Sequence, residues 1–253
     1  MAFVALQDRG YLKHIVSQNV DGLHRKSGML PENLTELHGN TNVELCTKCD
    51  KEYLRDFRVR NAQHVFDHKT GRKCEDPACK GDLIDTIINF KENLRDIDLD
   101  KGFGHGGEAD LCIAMGSSLR VTPAANIPET TALKGGKLVL INLQKTPLDY
   151  LATLNIFAKC DDVMKLVMKK LSIEIPKWTL QRRFKAVLDF EKSAKGKPQL
   201  EIRGVDSNGS HYSLFTKVDF KPKNLPSGKI ATKEPFTIDI DENEETVEVE
   251  MHF

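Results

Sequence analysis

The sequence predicts an α/β fold: part of an open parallel sheet, interrupted by a metal-stapled insertion and followed by a small β-rich module. Three observations predict it. Short apolar runs at 14–17, 111–115 and 138–141 each end in small, amide or hydroxyl residues, as buried parallel strands do when their carboxyl ends face a ligand crevice. Four cysteines cluster between positions 46 and 79. Beyond about residue 178 apolar and polar side chains alternate, the pattern of antiparallel strands with one wet face.

The elements follow in order. Phe3, Val4 and Leu6 precede Gly10, which suggests a helix over 2–9 closed by glycine. The first strand, His-Ile-Val-Ser at 14–17, runs into Gln18-Asn19-Val20-Asp21-Gly22. The second, Leu-Cys-Ile-Ala-Met at 111–115, runs into Gly116-Ser117-Ser118. The third, at 138–141, runs into Asn142-Leu143-Gln144. A helix over 124–133, ended by Gly135-Gly136, joins the last two strands, and such a crossover implies parallel pairing. After Cys160, Asp161 or Asp162 is placed to cap a helix with Val163, Leu166, Val167 and Leu171 on one face, ending near Ile175-Pro176. Further on, 200–202, 212–215, 236–240 and 246–251 read as strands, separated by Asn208-Gly209 and loops rich in Pro, Gly and Lys.

Composition narrows the classes. A chain of 253 residues can bury a substantial core. Lys plus Arg and Asp plus Glu stand at 37 each, so no net field draws the chain to nucleic acid or to a membrane surface. No apolar run reaches bilayer length and no secretory leader layout opens the chain. The expected setting is soluble and intracellular, where six cysteines, four of them clustered, fit a metal better than a disulfide framework.

Two residues separate Cys46 from Cys49 and four separate Cys74 from Cys79, with twenty-four between the pairs. Two close thiolate pairs on a zinc-ribbon-like insertion over about 43–90 give the four soft ligands of a closed, structural Zn²⁺ site. The alternative is four unrelated reduced cysteines.

Gln18, Asn19 and Asp21 gather two amides and a carboxylate at one strand end, groups suited to a ribose and a carboxamide. The same Asn-x-Asp-Gly also suits a turn whose side chains bond their own backbone. His38, in Leu37-His38-Gly39-Asn40, has a small neighbour that opens space around its imidazole, although a histidine in isolation is more often core or surface filler.

Ser17 to His24, Leu37 to Asn40, the cysteine quartet, Gly116 to Leu119 and Ile141 to Gln144 together resemble the sirtuins, NAD-dependent protein deacylases. Thr70 to Cys74, Asp85-Thr86 and Cys160 to Met164 resemble most the family's nuclear, fourth-class branch. The resemblance covers about 1–178 and implies a partial Rossmann-like sheet with NAD and one structural zinc. It implies that Gln18, Asn19, Val20 and Asp21 line the nicotinamide and ribose pocket, Asp21 holding the carboxamide. Gly116, Ser117 and Ser118 would serve the ribose side, Asn142, Leu143 and Gln144 the adenosine end, and Cys160 a last adenine contact, its alternative being a plain buried thiol. His38, with Asn19 and Asp21 beside it, is the implied catalytic group, a general base drawing a proton from a ribose hydroxyl at an imidazole whose ordinary pKa is near neutrality. His24 is a weaker candidate. The implied partners are acyl-lysine proteins such as histones, in the nucleus, with 179–253 as a β-rich module that could contact chromatin proteins.

The family's first strand, its Gly-Ala-Gly-x-Ser phosphate loop and its Pro-Asp-Phe-Arg segment are not found in the sequence. The expectation is therefore an N-terminally shortened chain, from a partial translation or from a protein that turns over NAD poorly. The run Gly102 to Gly107 follows no apolar strand and is expected to be a flexible loop. Two other functions stand beside the enzyme: a non-catalytic zinc scaffold, and a zinc-ribbon nucleic-acid binder. The latter rests on Lys192, Lys195, Lys197, Lys217, Lys221, Lys223, Lys229 and Lys233, which a solvated loop face explains better.

Overall fold

The computed structural model describes residues 1–62, 64–190, 197–206, 209, 211–223, 228–241 and 243–253. The chain opens with α1 (Ala2–Asp8), β1 (Ile15–Ser17), α2 (Leu23–Ser27) and β2 (Leu34–Glu36). Four strands carry the cysteine segment: β3 (Val43–Cys46), β4 (Glu52–Arg55), β5 (Lys69–Lys73) and β6 (Asp82–Asp85). Then come α3 (Asp96–Glu108), β7 (Leu111–Met115), α4 (Asn126–Leu133), β8 (Lys137–Ile141), β9 (Leu154–Ile156) and α5 (Cys160–Lys170). The remainder is strand: β10 (Arg183–Asp189), β11 (Gln199–Val205), β12 (His211–Ser213), β13 (Lys217–Pro222), β14 (Lys229–Ala231), β15 (Phe236–Asp239) and β16 (Val247–His252). No helix among the described residues is long and apolar enough to cross a membrane.

Two compact units result. The first joins Met1–Asn40 to Ile87–Leu180, the second Thr41–Thr86 to Gln181–Phe253. In the first, β7, β8 and β9 form a parallel ladder with β8 central. Buried Leu138 and Leu140 pack with Leu119, Ala125 and Leu148 beneath it. The apolar run at 14–17 does not join that ladder. It pairs instead with β2, Ile15 against Leu34 and Ser17 against Glu36, so the one expected sheet is two parallel pieces. The partner, three residues of β2, is too short to announce itself in the sequence.

The glycine run is not a loop. It lies inside α3, with Gly102 and Gly106 buried one turn apart against Ile127 of α4. Glycine costs helix propensity, but here it lets two helix backbones approach, and Leu37, Ala124 and Ile127 pack with Val16, Leu99 and Phe103 around that crossing. Helix α5 departs from expectation as well. Neither Asp161 nor Asp162 caps it, since both lie in its first turn and Lys159 is the N-cap residue. It stops at Lys170, short of 175, and buries Val163, Met164 and Met168, leaving Leu166 61% exposed. Flexible Met168 fills the space against Ala5 of α1 and Ile173.

In the second unit β10, β11, β12, β4, β3, β6 and β5 lie side by side, with β15 also on β11. The four strands expected in the C-terminal stretch are present, and β10, β13 and β14 add to them. One pairing breaks the antiparallel rule: β12 runs parallel to β4, His211 against Tyr53 and Ser213 against Arg55. The cysteine segment and the C-terminal strands therefore share a ladder. A second small sheet, β14-β13-β16, closes over a core of Ile202, Phe215, Val218, Phe220, Phe236 and Ile238. Asn208, Lys192 and Lys195 lie outside the described residues.

Candidate active site and metal centre

Strand β1 ends on buried Ser17, whose Oγ accepts the Asn19 amide N–H at 3.1 Å. Asp21 Oδ1 accepts the Leu23 amide at 3.0 Å, so the turn that Asn-x-Asp-Gly allowed is made, and it starts α2. Gly22 has φ +69°, and a Cβ there would stand 3.1 Å from the side-chain amide of Asn40. Asn40 in turn donates to the Glu36 carboxylate at 2.8 and 3.0 Å. The Asp-Gly and His-Gly-Asn stretches are thus packed on each other, and a side chain at 22 would drive them apart.

His38, half-buried, places Nδ1 3.1 Å from the Gln18 carbonyl oxygen. A carbonyl only accepts, so Nδ1 carries the proton and the lone pair is left on Nε2. No described residue takes up that lone pair. The same Gln18 continues the connection: its Oε1 accepts the Ser117 hydroxyl at 2.8 Å, and the Ser117 carbonyl accepts the Asn142 side-chain amide at 2.8 Å. His38, Gln18, Ser117 and Asn142 therefore form one chain of hydrogen bonds across the tips of β1, β7 and β8. Asn142 Oδ1 also accepts the Leu143 amide at 2.9 Å.

The other predicted residues surround this chain. Gly116 has φ +62° and continues the ladder by donating to the Ile141 carbonyl at 2.9 Å. Cys160 opens α5 with Sγ 3.7 Å from where a Gly116 Cβ would be. Val20 is half-buried, and Asn19, Asp21, Ser118, Leu143 and Gln144 are exposed. The side chains of Asn19, Ser118 and Gln144 make no hydrogen bond with a described residue. His24 is held below its ordinary pKa by burial, against the pull of Asp21.

The four cysteines converge. Their sulfurs all lie within 4.8 Å of one another, with Cys46 to Cys79 at 3.6 Å and Cys49 to Cys74 at 3.7 Å. These spans are too long for disulfides and match the edge of a tetrahedron, about 3.8 Å, built from Zn–S bonds of about 2.3 Å. Burial opposes the Cys46 thiolate, but the Lys48 and Cys49 amides outweigh it and bring its pKa down to about 7. The Lys51 amide favours a Cys49 thiolate, yet the crowding thiols push that group up to about 12. Four thiolates here require a cation between them, and all four positions are filled by sulfur, so the fit is to a structural zinc.

Two residues of this centre escaped the sequence reading. Tyr53, fully buried, places its hydroxyl 3.0 Å from Cys74 Sγ and accepts the Glu75 amide at 3.0 Å. Gly81 passes so close that a Cβ would lie 2.7 Å from Cys46 Sγ and 2.8 Å from Lys48 Cβ. Its place two residues after Cys79 was the available signal.

Comparison with known proteins agrees with this geometry. The Sir2 family profile matches residues 1–123. The NAD-dependent protein deacetylase SRT1 of Arabidopsis thaliana is 41% identical over 188 residues, 74% of this chain and 39% of that protein. The human NAD-dependent protein deacetylase sirtuin-7 is 37% identical over 187 residues, 71% of this chain and 46% of that protein. The chain thus spans less than half the length of either. Among solved structures, Sir2 bound to acetylated peptide superposes with a TM-score of 0.54 at 32% identity, over 68% of this chain and 70% of that one. A complex of Sir2, p53 peptide and NAD⁺ gives 0.53 at 33%, over 68% and 69%. With the strand tips, the histidine and the cysteine quartet in this arrangement, the chain belongs to the Sir2 family.

Proposed function

We propose that this chain serves NAD-dependent removal of acyl groups from protein lysines, acting on chromatin or other nuclear proteins. One observation carries the reading. The Gln18 carbonyl fixes the tautomer of His38 and leaves a basic Nε2 at the same strand tips that hold unpartnered amide and hydroxyl side chains. Bound NAD would supply the ribose carbon to which the acyl oxygen is transferred as nicotinamide leaves, and the relatives named for that chemistry supply the precedent. The chain's own part is to hold and to move a proton. Asn19 and Asp21 offer amide and carboxylate groups to a carboxamide, and Ser118 offers its hydroxyl to a sugar beside Gly116 and Ser117. Asn142, Leu143, Gln144 and Cys160 stand at the adenosine side. His38 Nε2 accepts a hydroxyl proton while Nδ1–H stays on the Gln18 carbonyl, so the imidazolium that forms keeps a hydrogen-bond partner.

The test is nicotinamide release from an acetyl-lysine peptide in the presence of NAD. Turnover that His38→Ala reduces by at least about 100-fold, with zinc content unchanged, supports the enzyme. The shared ladder of β4 and β12 favours a second reading, a zinc-held scaffold for chromatin proteins. Intact zinc with neither turnover nor NAD binding would overturn the enzymatic reading and leave the scaffold.

A further inference from the structure

Strand β10 is the outermost strand of its sheet. It pairs over seven residues with β11, Arg183 against Val205 through Asp189 against Gln199, without a shift in register, and its other side is taken by no described strand. Natural edges of this length are usually interrupted by proline or a bulge, or kept apart by charge. Here Arg-Phe-Lys-Ala-Val-Leu-Asp holds neither proline nor bulge, and its apolar side chains are open, with Phe184 51% and Leu188 48% exposed.

The two faces of β10 are distinct. Phe184, Ala186 and Leu188 stand opposite Gly204, Ile202 and Leu200, on the core side where Phe184 meets the Phe215 ring edge-on at 6.4 Å. Arg183, Lys185, Val187 and Asp189 occupy the other face. Neither Arg183 nor Lys185 is held in an ion pair by a described residue.

From this pattern we infer that β10 pairs antiparallel with β10 of a second copy of the chain, about a two-fold axis at Ala186. In that register Arg183 faces the second copy's Asp189, Phe184 faces its Leu188, Lys185 faces its Val187 and Ala186 faces itself. Each contact except Ala186 on the axis occurs twice, as a closed two-fold interface requires. The wet face joins cation to carboxylate, and the core face joins the two exposed apolar side chains, so the apolar layer runs from one sheet into the next. Moving the axis to Lys185 sets Lys185 against itself. Moving it to Val187 sets Lys185 against Asp189, but it pairs only residues 185–189 of β10 in place of all seven and takes Arg183 out of the ladder. A one-residue slip that mixes the faces would set Arg183 against Leu188. The charges that would repel an arbitrary strand thus admit this one.

The test is sedimentation of the full chain over a range of concentrations, with Arg183→Asp, Asp189→Arg and the double variant. Residues 183 and 189 stand about 20 Å apart along one strand, so they cannot pair within a single chain. The wild type is expected to dimerise. Each single reversal, which sets like charges together at both ends of the interface, should weaken the dimer about thirty-fold, or about 2 kcal/mol at 1.4 kcal/mol per tenfold. The double variant should recover to within about threefold of the wild type. Far-UV circular dichroism checks that each variant folds, Arg183 being exposed and Asp189 half-buried. A wild-type monomer at every concentration overturns the inference, including one that takes up an extended acidic peptide at this edge. So does a dimer indifferent to the single reversals, or a double variant that stays weakened.

Discussion

The glycines of α3 make a prediction with its control built in. At Gly106 an added Cβ would lie 2.9 Å from Ile127 Cγ2 and 3.0 Å from the Ile127 carbonyl oxygen. The methyl sits on a β-branched carbon with little rotamer freedom in a helix, and the carbonyl is backbone, so α3 must move off α4. Such overpacking costs about 1–3 kcal/mol, against a helix-propensity gain of about 1. Gly106→Ala should therefore lose up to about 2 kcal/mol. At Gly104 nothing lies within 4 Å of the added atom, and only the propensity gain remains, about 0.5–1 kcal/mol in favour. At Gly102 the clash is with Ile127 Cδ1, at 2.8 Å, the free end of a side chain that can rotate, so the two effects should nearly cancel. The assay is urea unfolding followed through Trp178, the chain's single tryptophan, which donates to the Lys26 carbonyl at 3.1 Å within the same compact unit. With the slope against urea unchanged, the midpoints rank the variants. A Gly106→Ala chain as stable as Gly104→Ala would refute the tight crossing and, with it, the reason offered for a glycine-rich helix.

Metal analysis should find about one zinc per chain. Chelation should lower the melting temperature and the strand signal of the second unit, because four thiols that cannot all ionise then crowd the end of β3, and an unchanged melt would count against this. Acid should act on His14, whose pKa is lowered to about 4 by burial, by the stacked His105 ring and by Lys101. Below about pH 6.5 the unfolded chain binds a proton that folded His14 refuses until about pH 4, so stability is full above that window and falls through it. Allowing for partial solvent screening, the loss is about 1–2 kcal/mol. Unfolding curves at pH 7, 6, 5 and 4 should show the decline, and His14→Gln should flatten it.

What the sequence made legible was whatever is written locally. The runs at 111–115 and 138–141 are continuous apolar strands with polar ends, and their pairing follows from the helix between them. The cysteines announce their metal by spacing. Elements set by tertiary contact stayed hidden. Helix α3 carries four glycines in thirteen residues and exists because it packs on Ile127. The buried face of α5 carries Val163, Met164 and Met168 and not Leu166, with Met168 packed against Ala5 of α1. Strands β2 and β5 lack an alternation that would mark them, and in β10 Val187 interrupts it. The hydrogen-bond chain from His38 to Asn142 was foreseeable as a set of residue types but not as a path, because Gln18 serves it twice, once through its backbone and once through its side chain.

The parallel ladder between β4 and β12 had no local signal, since its partners lie more than 150 residues apart, yet it determines what the metal can stabilise. Tyr53 stands at the join. Its hydroxyl is bonded to Cys74 Sγ, its backbone is in register with His211, and its ring meets the His211 imidazole edge-on at 5.7 Å. Two residues on, Arg55 binds fully buried Glu44 of β3 at 2.9 Å and Glu75, next to Cys74, at 2.8 Å. Glu75 and Glu234 both reach His211 Nε2, at 3.4 and 3.0 Å. A buried carboxylate such as Glu44 is tolerable only while its cations stay in place, and those cations are Arg55 of β4 and Arg72 of β5. Zinc closing that cluster would therefore fix β3 and β4, and through them the polar network and ladder on which β12 is laid. The cysteine segment and the C-terminal strands thus belong to one compact unit, and a metal held by the first would brace the second.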